Sequence, residues 1–395
     1  MIVNFLPKDK SIAQRCAVLG LDFNQDYIGE DVKSTIEAVK QFNENLGSTT
    51  LDLGNSGTGI RLLSGYIAGS GKDCTLIGDK SLSQRPMNRI AEPLNSWGAE
   101  IRLKEQKFPP IVIKGTKLLP EFTYNLTIPS AQIKSCLLLA ALSSKTKITI
   151  VENIPSRDHT ERMLEECGAD IKRDGNKIIL DGSIEIKKKF IDVPKDFSSA
   201  AYLIAANILS KKNILLEGVG VNSTRTAFLD VVQEMGGNVV LKNIKNITNE
   251  PRADIESNAK QELKGISIQG KKIPNLIDEI PLIAIMGLFA KGQTTVRDAQ
   301  ELRFKESDRI SLLLSNIKKF DPKATVTEYE DGFDINPSNN LDTESVNIET
   351  GGDHRIIMSF MIASLGSGKR VVFDETSSVE TSFPRFFEVL EKWYQ

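Results

Sequence analysis

The sequence predicts an α/β protein assembled from six βα units in two groups of three. Three observations carry this reading. A nearly all-apolar helical segment with a polar start recurs six times, beginning at Ser11, Asn55, Ser130, Ser198, Ile277 and Asp353. Each of the last five copies is followed by a basic or glycine turn and a short strand, in GKDCTLIGD, KTKITIVEN, KKNILLEGV, KGQTTVRDA and GKRVVFDET. At 395 residues the chain also exceeds the usual size of one domain, so two domains are expected.

After four of those strands comes a polar loop and a second, amphipathic helix, in RPMNRIAEPLNSWGAEI, RDHTERMLEECGADI, TRTAFLDVVQEMGGNVV and KESDRISLLLSNI. The first three leave through Gly98-Ala99, Gly168-Ala169 and Gly236-Gly237, glycines suited to a left-handed turn after a helix. The glycine spacings of 70 and 68 residues set the length of the repeat, and the chain holds between five and six such blocks. A helix apolar nearly all round is stable only when surrounded by protein. Its polar start presents free N–H groups and the positive end of the helix dipole, so several such starts facing one cleft make an anion site.

Composition excludes several classes of function. With 50 Lys and Arg against 52 Asp and Glu, the net charge of −2 supplies no field for nucleic acid or acidic lipid. The cysteines Cys16, Cys74, Cys136 and Cys167 are scattered and no histidines are paired, so neither disulfides nor a metal site is expected, and a reducing cytoplasm fits best. The opening MIVNFLPKDKS does not read as a secretory signal. The longest apolar run, Ile280 to Ala290, falls short of the roughly 20 residues that span a bilayer.

The charged residues gather at the starts of the helices. LPKDKSIAQR puts Lys10 and Ser11 at a helix start with Arg15 about one turn on, a phosphate-binding pattern that also suits an N-capping serine beside solvated lysine. In LGNSGTGIRL, Gly54, Gly57 and Gly59 admit close backbone approach, either to a ligand or to a packed helix, and Arg61 follows. SLSQRPM sets Arg85 before Pro86, which biases it to extended backbone just outside a helix. SRDHTE supplies Arg157, Asp158 and His159, and a structural role is the better reading for both His159 and His354. ELRFKESDR packs Arg303, Lys305, Glu306, Asp308 and Arg309 into seven positions, and Lys305 and Arg309 are expected on one face of a helix. IDEIP brings Asp278 and Glu279, and GGDHRIIM brings Asp353, His354 and Arg355, to two further helix mouths. There a carboxylate among cations is a usable base for a substrate hydroxyl.

Nine motifs in order, KDKSIAQR, GNSGTGIRL, RPMNR, SAQIKS, SRDHTE, IDEIP, LRFKESDR, DHRIIM and TSFPRFF, resemble the 5-enolpyruvylshikimate-3-phosphate synthases across nearly the whole chain. The SAQIKS, RDHTE and RFKESDR forms are similar to the bacterial class II subgroup. The resemblance implies an inside-out α/β barrel of two pseudo-three-fold domains, residues 10–195 and residues 1–9 with 196–395, with the active site in the cleft between them. It implies transfer of the enolpyruvyl group of phosphoenolpyruvate to the 5-hydroxyl of shikimate 3-phosphate, by a cytoplasmic monomer without metal or organic cofactor. By motif, Ser11, Arg15, Ser130, Ala131, Gln132 and Arg157 would hold shikimate 3-phosphate, with Asp278 and Lys305 touching it. Lys10, Gly57, Arg85, Arg309 and Arg355 would hold phosphoenolpyruvate. In the family scheme Asp278 takes the hydroxyl proton, Glu306 serves the methylene carbon and Lys10 assists phosphate departure.

Some positions depart from the family pattern. Lys8 and Lys195 stand where glycines are usual near the presumed hinges, Gln14 where histidine is common, and Thr381 where some members carry lysine. Gly57, retained as glycine, implies sensitivity to the inhibitor glyphosate. The related transferases acting on UDP-N-acetylglucosamine carry a loop cysteine where this chain has Lys80. An RNA 3′-phosphate cyclase would need a basic surface, and a non-catalytic repeat scaffold would lack these charged motifs.

Overall fold

The computed structural model describes residues 2–3, 5–44, 49–118, 120–258, 262–338, 341 and 344–394. They fall into two compact units. One comprises Lys8–Val193 with Ile247–Glu250, the other Met1–Pro7, Pro194–Asn246 and Pro251–Gln395. Each encloses its own apolar core.

The recurring segments are helices: Lys10–Leu19, Gly57–Ser70, Ala131–Ser144, Phe197–Ser210, Ile280–Leu288 and His354–Ser367. Their all-round apolarity has the expected cause. Every residue from Phe197 to Ile208 is buried, as is every residue of Ile280–Leu288. Within the first unit the Gly57–Ser70 and Ala131–Ser144 helices meet backbone to backbone. A Cβ on Gly65 would lie 2.0 Å from the Cys136 carbonyl oxygen, and one on Gly69 would lie 2.3 Å from that of Ala140. No residue larger than glycine fits at either position.

Four of these helices, Gly57–Ser70, Ala131–Ser144, Phe197–Ser210 and Ile280–Leu288, each feed the second strand of a small four-stranded sheet. The order is Thr49–Asp52, Cys74–Ile77, Phe108–Lys114, Glu100–Lys104 in one sheet, and Glu121–Asn125, Lys147–Val151, Lys177–Asp181, Asp170–Asp174 in the next. The second unit repeats the order with Ile2–Val3, Asn213–Gly220, Glu250–Asn258, Asn238–Ile247, and again with Ser267–Ile268, Thr294–Val296, Gly332–Asn336, Thr325–Tyr329. In all four the central strand runs parallel to the first strand and antiparallel to the third. A fifth sheet pairs Val346–Ile348 with Val371–Phe373. One edge strand, Ile2–Val3, thus comes from the far end of the sequence and pairs with Leu215 and Leu216.

The amphipathic helices are Asn88–Ser96, His159–Glu166, Ala227–Glu234 and Arg309–Phe320. The first three exit through Gly98, Gly168 and Gly236 at φ 107°, 81° and 97°, the left-handed region that the sequence assigned to them.

Candidate active site

In the first unit three helix starts are capped by Asp9, Ser56 and Ser130, whose side chains accept from the N–H groups of Ile12, Gly59 and Ile133. Asp9, rather than Ser11, therefore caps the opening helix, and Lys10 and Ser11 are its first two residues. Lys10 Nζ lies 2.9 Å from Asp31 Oδ2, an acid at the start of the Glu30–Glu44 helix. Arg15 is buried and donates to Thr160 Oγ1 (2.7 Å), Ser11 O (2.6 Å) and Ser135 Oγ (2.8 Å). Burial presses its pKa down to about 10, against the pull of Glu161 and Asp9.

Around the second helix start, Arg85 has extended backbone (φ −87°, ψ 134°), as the following proline requires. Its Nη2 donates to Asn55 Oδ1 (2.5 Å) and Ser81 Oγ (3.2 Å). A methyl group on Gly57 would stand 2.8 Å from Arg85 Nη1 and 3.3 Å from Arg61 Nη1, so the absence of a side chain there leaves room for both guanidinium groups. Arg61 donates to Gln132 Oε1, and Gln132 Nε2 to Thr58 Oγ1, which ties the second helix start to the third. The half-buried Ser130, Ala131 and Gln132 open that third helix.

Arg157 sits on a loop with a buried ionic anchor. Glu152 accepts from the N–H (2.9 Å) and hydroxyl (2.5 Å) of Ser156, and the wholly buried Lys134 joins Glu152 (3.1 Å), Glu161 (2.8 Å) and the Ser156 carbonyl (3.3 Å). His159 is buried with Nδ1 2.8 Å from Glu250, a structural role as expected.

The second unit is carboxylate-rich. Asp196, not Ser198, caps the Phe197–Ser210 helix, and it pairs with Arg225 at 3.3 Å. Arg225 also donates to Ser198, whose hydroxyl donates to Glu279. Burial opposes ionisation of Asp196, but Arg225, Arg355 and the Ser199 N–H hold its pKa below the ordinary value. Asp353 caps the His354–Ser367 helix and binds Arg309 through Nε (2.8 Å) and Nη2 (3.2 Å). Arg309 also meets Glu306 at 2.5 Å and Asp278 at 3.8 Å. Burial works against the charge on Arg309 and on Arg355, yet Asp353 and Glu306 beside the first, and Asp278 beside the second, raise both pKa values. Lys305 is shifted down, chiefly by burial, with Asp278 opposing and Arg309 adding to the shift.

Lys305 and Arg309 do not share a helix. Lys305 ends a 3-10 turn, Gln300–Phe304, with ψ −148°, and Asp308 caps a new helix that begins at Arg309 by accepting from the Ser311 N–H. An aspartate three residues before a serine stops the helical pattern that the charge spacing suggested.

Exposure separates two kinds of carboxylate in this unit. Asp353 and Glu279 are sealed at 0%, whereas the side chains of Asp278 and Glu306 keep 20% and 16% of their surface. Asp353 holds Arg309 in place and Glu279 accepts from Ser198, whereas Asp278 and Glu306 can meet a ligand with Lys305, Arg309 and Arg355 nearby. Among the described residues no His, Cys, Asp and Glu cluster of metal-binding form occurs. No helix of the described residues is long and apolar enough to cross a membrane.

The EPSP synthase (3-phosphoshikimate 1-carboxyvinyltransferase) family profile matches residues 9–390. The chain belongs to the EPSP synthase family. Its membership extends to close relatives: a 3-phosphoshikimate 1-carboxyvinyltransferase of Thermoanaerobacter sp. (strain X514) is 39% identical over 98% of this chain and 96% of its own length. One from Synechocystis sp. is 39% identical over 98% and 92%. The solved EPSP synthase from Acinetobacter baumannii superposes with a TM-score of 0.83, at 35% identity over 99% of this chain and 95% of that one. The enolpyruvyl transferase NikO from Streptomyces tendae shares the fold, with a TM-score of 0.75 at 13% identity over 98% and 94% of the two chains. The inside-out α/β fold expected from the motifs is therefore that of this EPSP synthase family member.

Sequence reasoning missed Asp31, Asp196, Arg225 and the Lys134–Glu152 anchor. Asp31 in GEDVKST carried one faint signal, an acid in the first turn of a helix. Asp196 carried another, an acid three residues before Ser199 at a helix start, while Arg225 and the Lys134–Glu152 anchor are long-range partners without a local pattern.

Proposed function

We propose that this chain transfers the enolpyruvyl group of phosphoenolpyruvate to the 5-hydroxyl of shikimate 3-phosphate and releases phosphate. The observation that carries the reading is the pair of partly exposed carboxylates, Asp278 and Glu306, set among Lys305, Arg309 and Arg355. Two anionic substrates need such cations, and proton transfer needs such acids.

On this reading Ser11, Arg15, Ser130, Ala131, Gln132 and Arg157 of the first unit hold shikimate 3-phosphate, with Asp278 and Lys305 of the second touching it. Lys10, Gly57, Arg85, Arg309 and Arg355 hold phosphoenolpyruvate. Asp278 accepts the 5-hydroxyl proton as the hydroxyl oxygen bonds to C2, while a proton passes through Glu306 to the methylene carbon. The tetrahedral adduct then loses a methyl proton back to Glu306. The C2–C3 double bond re-forms as the bond from C2 to the phosphate oxygen breaks, with Lys10 supplying a proton to the leaving phosphate. No metal or organic cofactor enters this scheme, so activity should survive exhaustive chelation. The enzyme works as a cytoplasmic monomer, which light scattering in solution checks.

Phosphate release is the deciding assay. It should require both phosphoenolpyruvate and shikimate 3-phosphate, and release with UDP-N-acetylglucosamine in place of the latter would reverse the assignment. Asp278→Ala should bind shikimate 3-phosphate nearly as well as wild type while turnover collapses by about 100-fold or more, the usual yield of general acid–base catalysis. Near-normal turnover of that variant removes Asp278 as the base.

A further inference from the structure

The ELRFKESDR segment carries three cations, and one of them has a different job from its neighbours. Arg303 uses all five of its N–H donors within the protein. Nε donates to the Glu330 carbonyl (2.7 Å), Nη1 to Asp308 Oδ2 (2.8 Å) and Ser311 Oγ (3.0 Å), and Nη2 to Glu328 Oε1 (2.9 Å) and the Tyr329 carbonyl (2.7 Å). A guanidinium has five N–H groups in a rigid planar fork, so none is left for a substrate anion. Burial opposes the charge, but Asp308 and Glu328 raise the pKa, so the group stays a cation.

These acceptors belong to two separate pieces of chain. Glu328, Tyr329 and Glu330 form the end of the Thr325–Tyr329 strand and its turn. Asp308 is the cap of the Arg309–Phe320 helix, and Ser311 is in its first turn. Between Arg303 and that cap lie Lys305 and Glu306, on chain that belongs to neither helix. The Ala299 N–H, donating to the Asp331 carbonyl at 2.7 Å, fixes the other end of the segment to the same turn.

We infer that Arg303 is a positioning residue for the reaction: its guanidinium locks the chain bearing Lys305, Glu306 and Arg309 against the 328–330 turn and sets their geometry. The inference rests on the proposed function for the roles of those three residues. Lysine cannot replace it, because an ammonium has three donors and no plane with which to span five acceptors. Small displacements of positioned groups cost rate steeply, up to about 100-fold for 1 Å.

The test compares wild type with Arg303→Ala, Arg303→Lys and Glu328→Gln. Steady-state phosphate release, calorimetric binding of shikimate 3-phosphate and amide hydrogen exchange over residues 299–312 are the readouts. Arg303→Ala should lower kcat about tenfold or more and raise KM for phosphoenolpyruvate, with shikimate 3-phosphate affinity within about threefold and exchange at 299–312 accelerated. Arg303→Lys should recover little of the loss, and Glu328→Gln should show a smaller loss in the same direction. Full recovery by lysine overturns the fork argument, and kinetics of Arg303→Ala within twofold of wild type overturn the positioning role. If wild type itself releases no phosphate from this substrate pair, the functional reading fails by itself. The exchange measurement then still decides, since unchanged protection at 299–312 in Arg303→Ala overturns the anchor.

Discussion

Replacing Gly57 by alanine should separate phosphoenolpyruvate binding from folding. Gly57 is the first residue of the Gly57–Ser70 helix, where alanine is at least as good a helix former, so the backbone gains a few tenths to about 1 kcal/mol. The new methyl carbon would stand 2.8 Å from Arg85 Nη1, whereas ordinary contact begins at 3.4 Å, so the guanidinium must retreat by about 0.6 Å. Arg85 cannot retreat freely, because Asn55 Oδ1 at 2.5 Å and Ser81 Oγ at 3.2 Å clamp it. Misaligning one charge-assisted hydrogen bond forfeits about 1.5–3 kcal/mol, which is roughly 10- to 150-fold in affinity. Initial rates at saturating shikimate 3-phosphate should therefore show KM for phosphoenolpyruvate raised about 10- to 100-fold. The thermal midpoint should stay within about 2 °C and shikimate 3-phosphate affinity within about threefold, since a stability change below 1 kcal/mol moves a protein of this size little. Glyphosate should inhibit wild type near the KM for phosphoenolpyruvate and lose potency in the variant. An unchanged KM in a folded variant, or an equal loss of affinity for shikimate 3-phosphate, refutes the steric argument.

Three other outcomes follow from buried charge and burial itself. Lys134→Met leaves Glu152 and Glu161 without the ammonium that neutralises them, so urea unfolding of the unit containing residues 8–193 should lose about 3–5 kcal/mol; a loss below 1 kcal/mol would show that the cluster is already hydrated. Asp196 has a depressed pKa in the folded state, so its stabilising effect is present above the unfolded carboxylate value of about 3.9 and fades as pH falls from there through the folded value. The urea midpoints of wild type and Asp196→Asn should differ by a constant amount from pH 7 to about 5 and draw together as pH falls below about 4, and a difference that does not shrink at all on acidification contradicts the pairing. All four cysteines are buried, and burial pushes the thiols of Cys74 and Cys136 up to about 12 and raises those of Cys16 and Cys167. Native protein at pH 8 should resist a disulfide reagent that titrates every thiol once urea is added.

The six apolar helices, the four amphipathic helices and the strands that follow the apolar helices were legible because each carries a local pattern, an apolar run with a polar start and a basic or glycine turn, whereas the Glu30–Glu44 helix was not read from the sequence. Nor were the edge strands. Ile2–Val3 and Ser267–Ile268 are two residues long and owe their structure to a partner far along the chain. At the site, the cations proposed to face substrate stand out as charges in otherwise apolar surroundings, but spacing does not tell such a charge from an anchored one. Arg303 and Arg309 are both arginines of one motif, and only the geometry separates a guanidinium saturated by its own chain from one shared with partly exposed acids. Lys305 and Arg309 do not pair on a helix because the Asp308 cap starts the helix at Arg309, and a cap overrides charge periodicity. Lys134 and Glu152 lie 18 residues apart and meet only through the fold.

The placement of Ile2–Val3 beside Asn213–Gly220 bears on how the protein is made. A ribosome releases the first strand long before its partner exists. Residues 8–193 carry the apolar core of their unit and can meanwhile collapse around it, with Ile247–Glu250 joining them later. The opening residues must wait, extended and apolar, until the chain from Asn213 to Gly220 emerges to receive them. A bulky group placed just before Ile2 would therefore burden a late step of biogenesis.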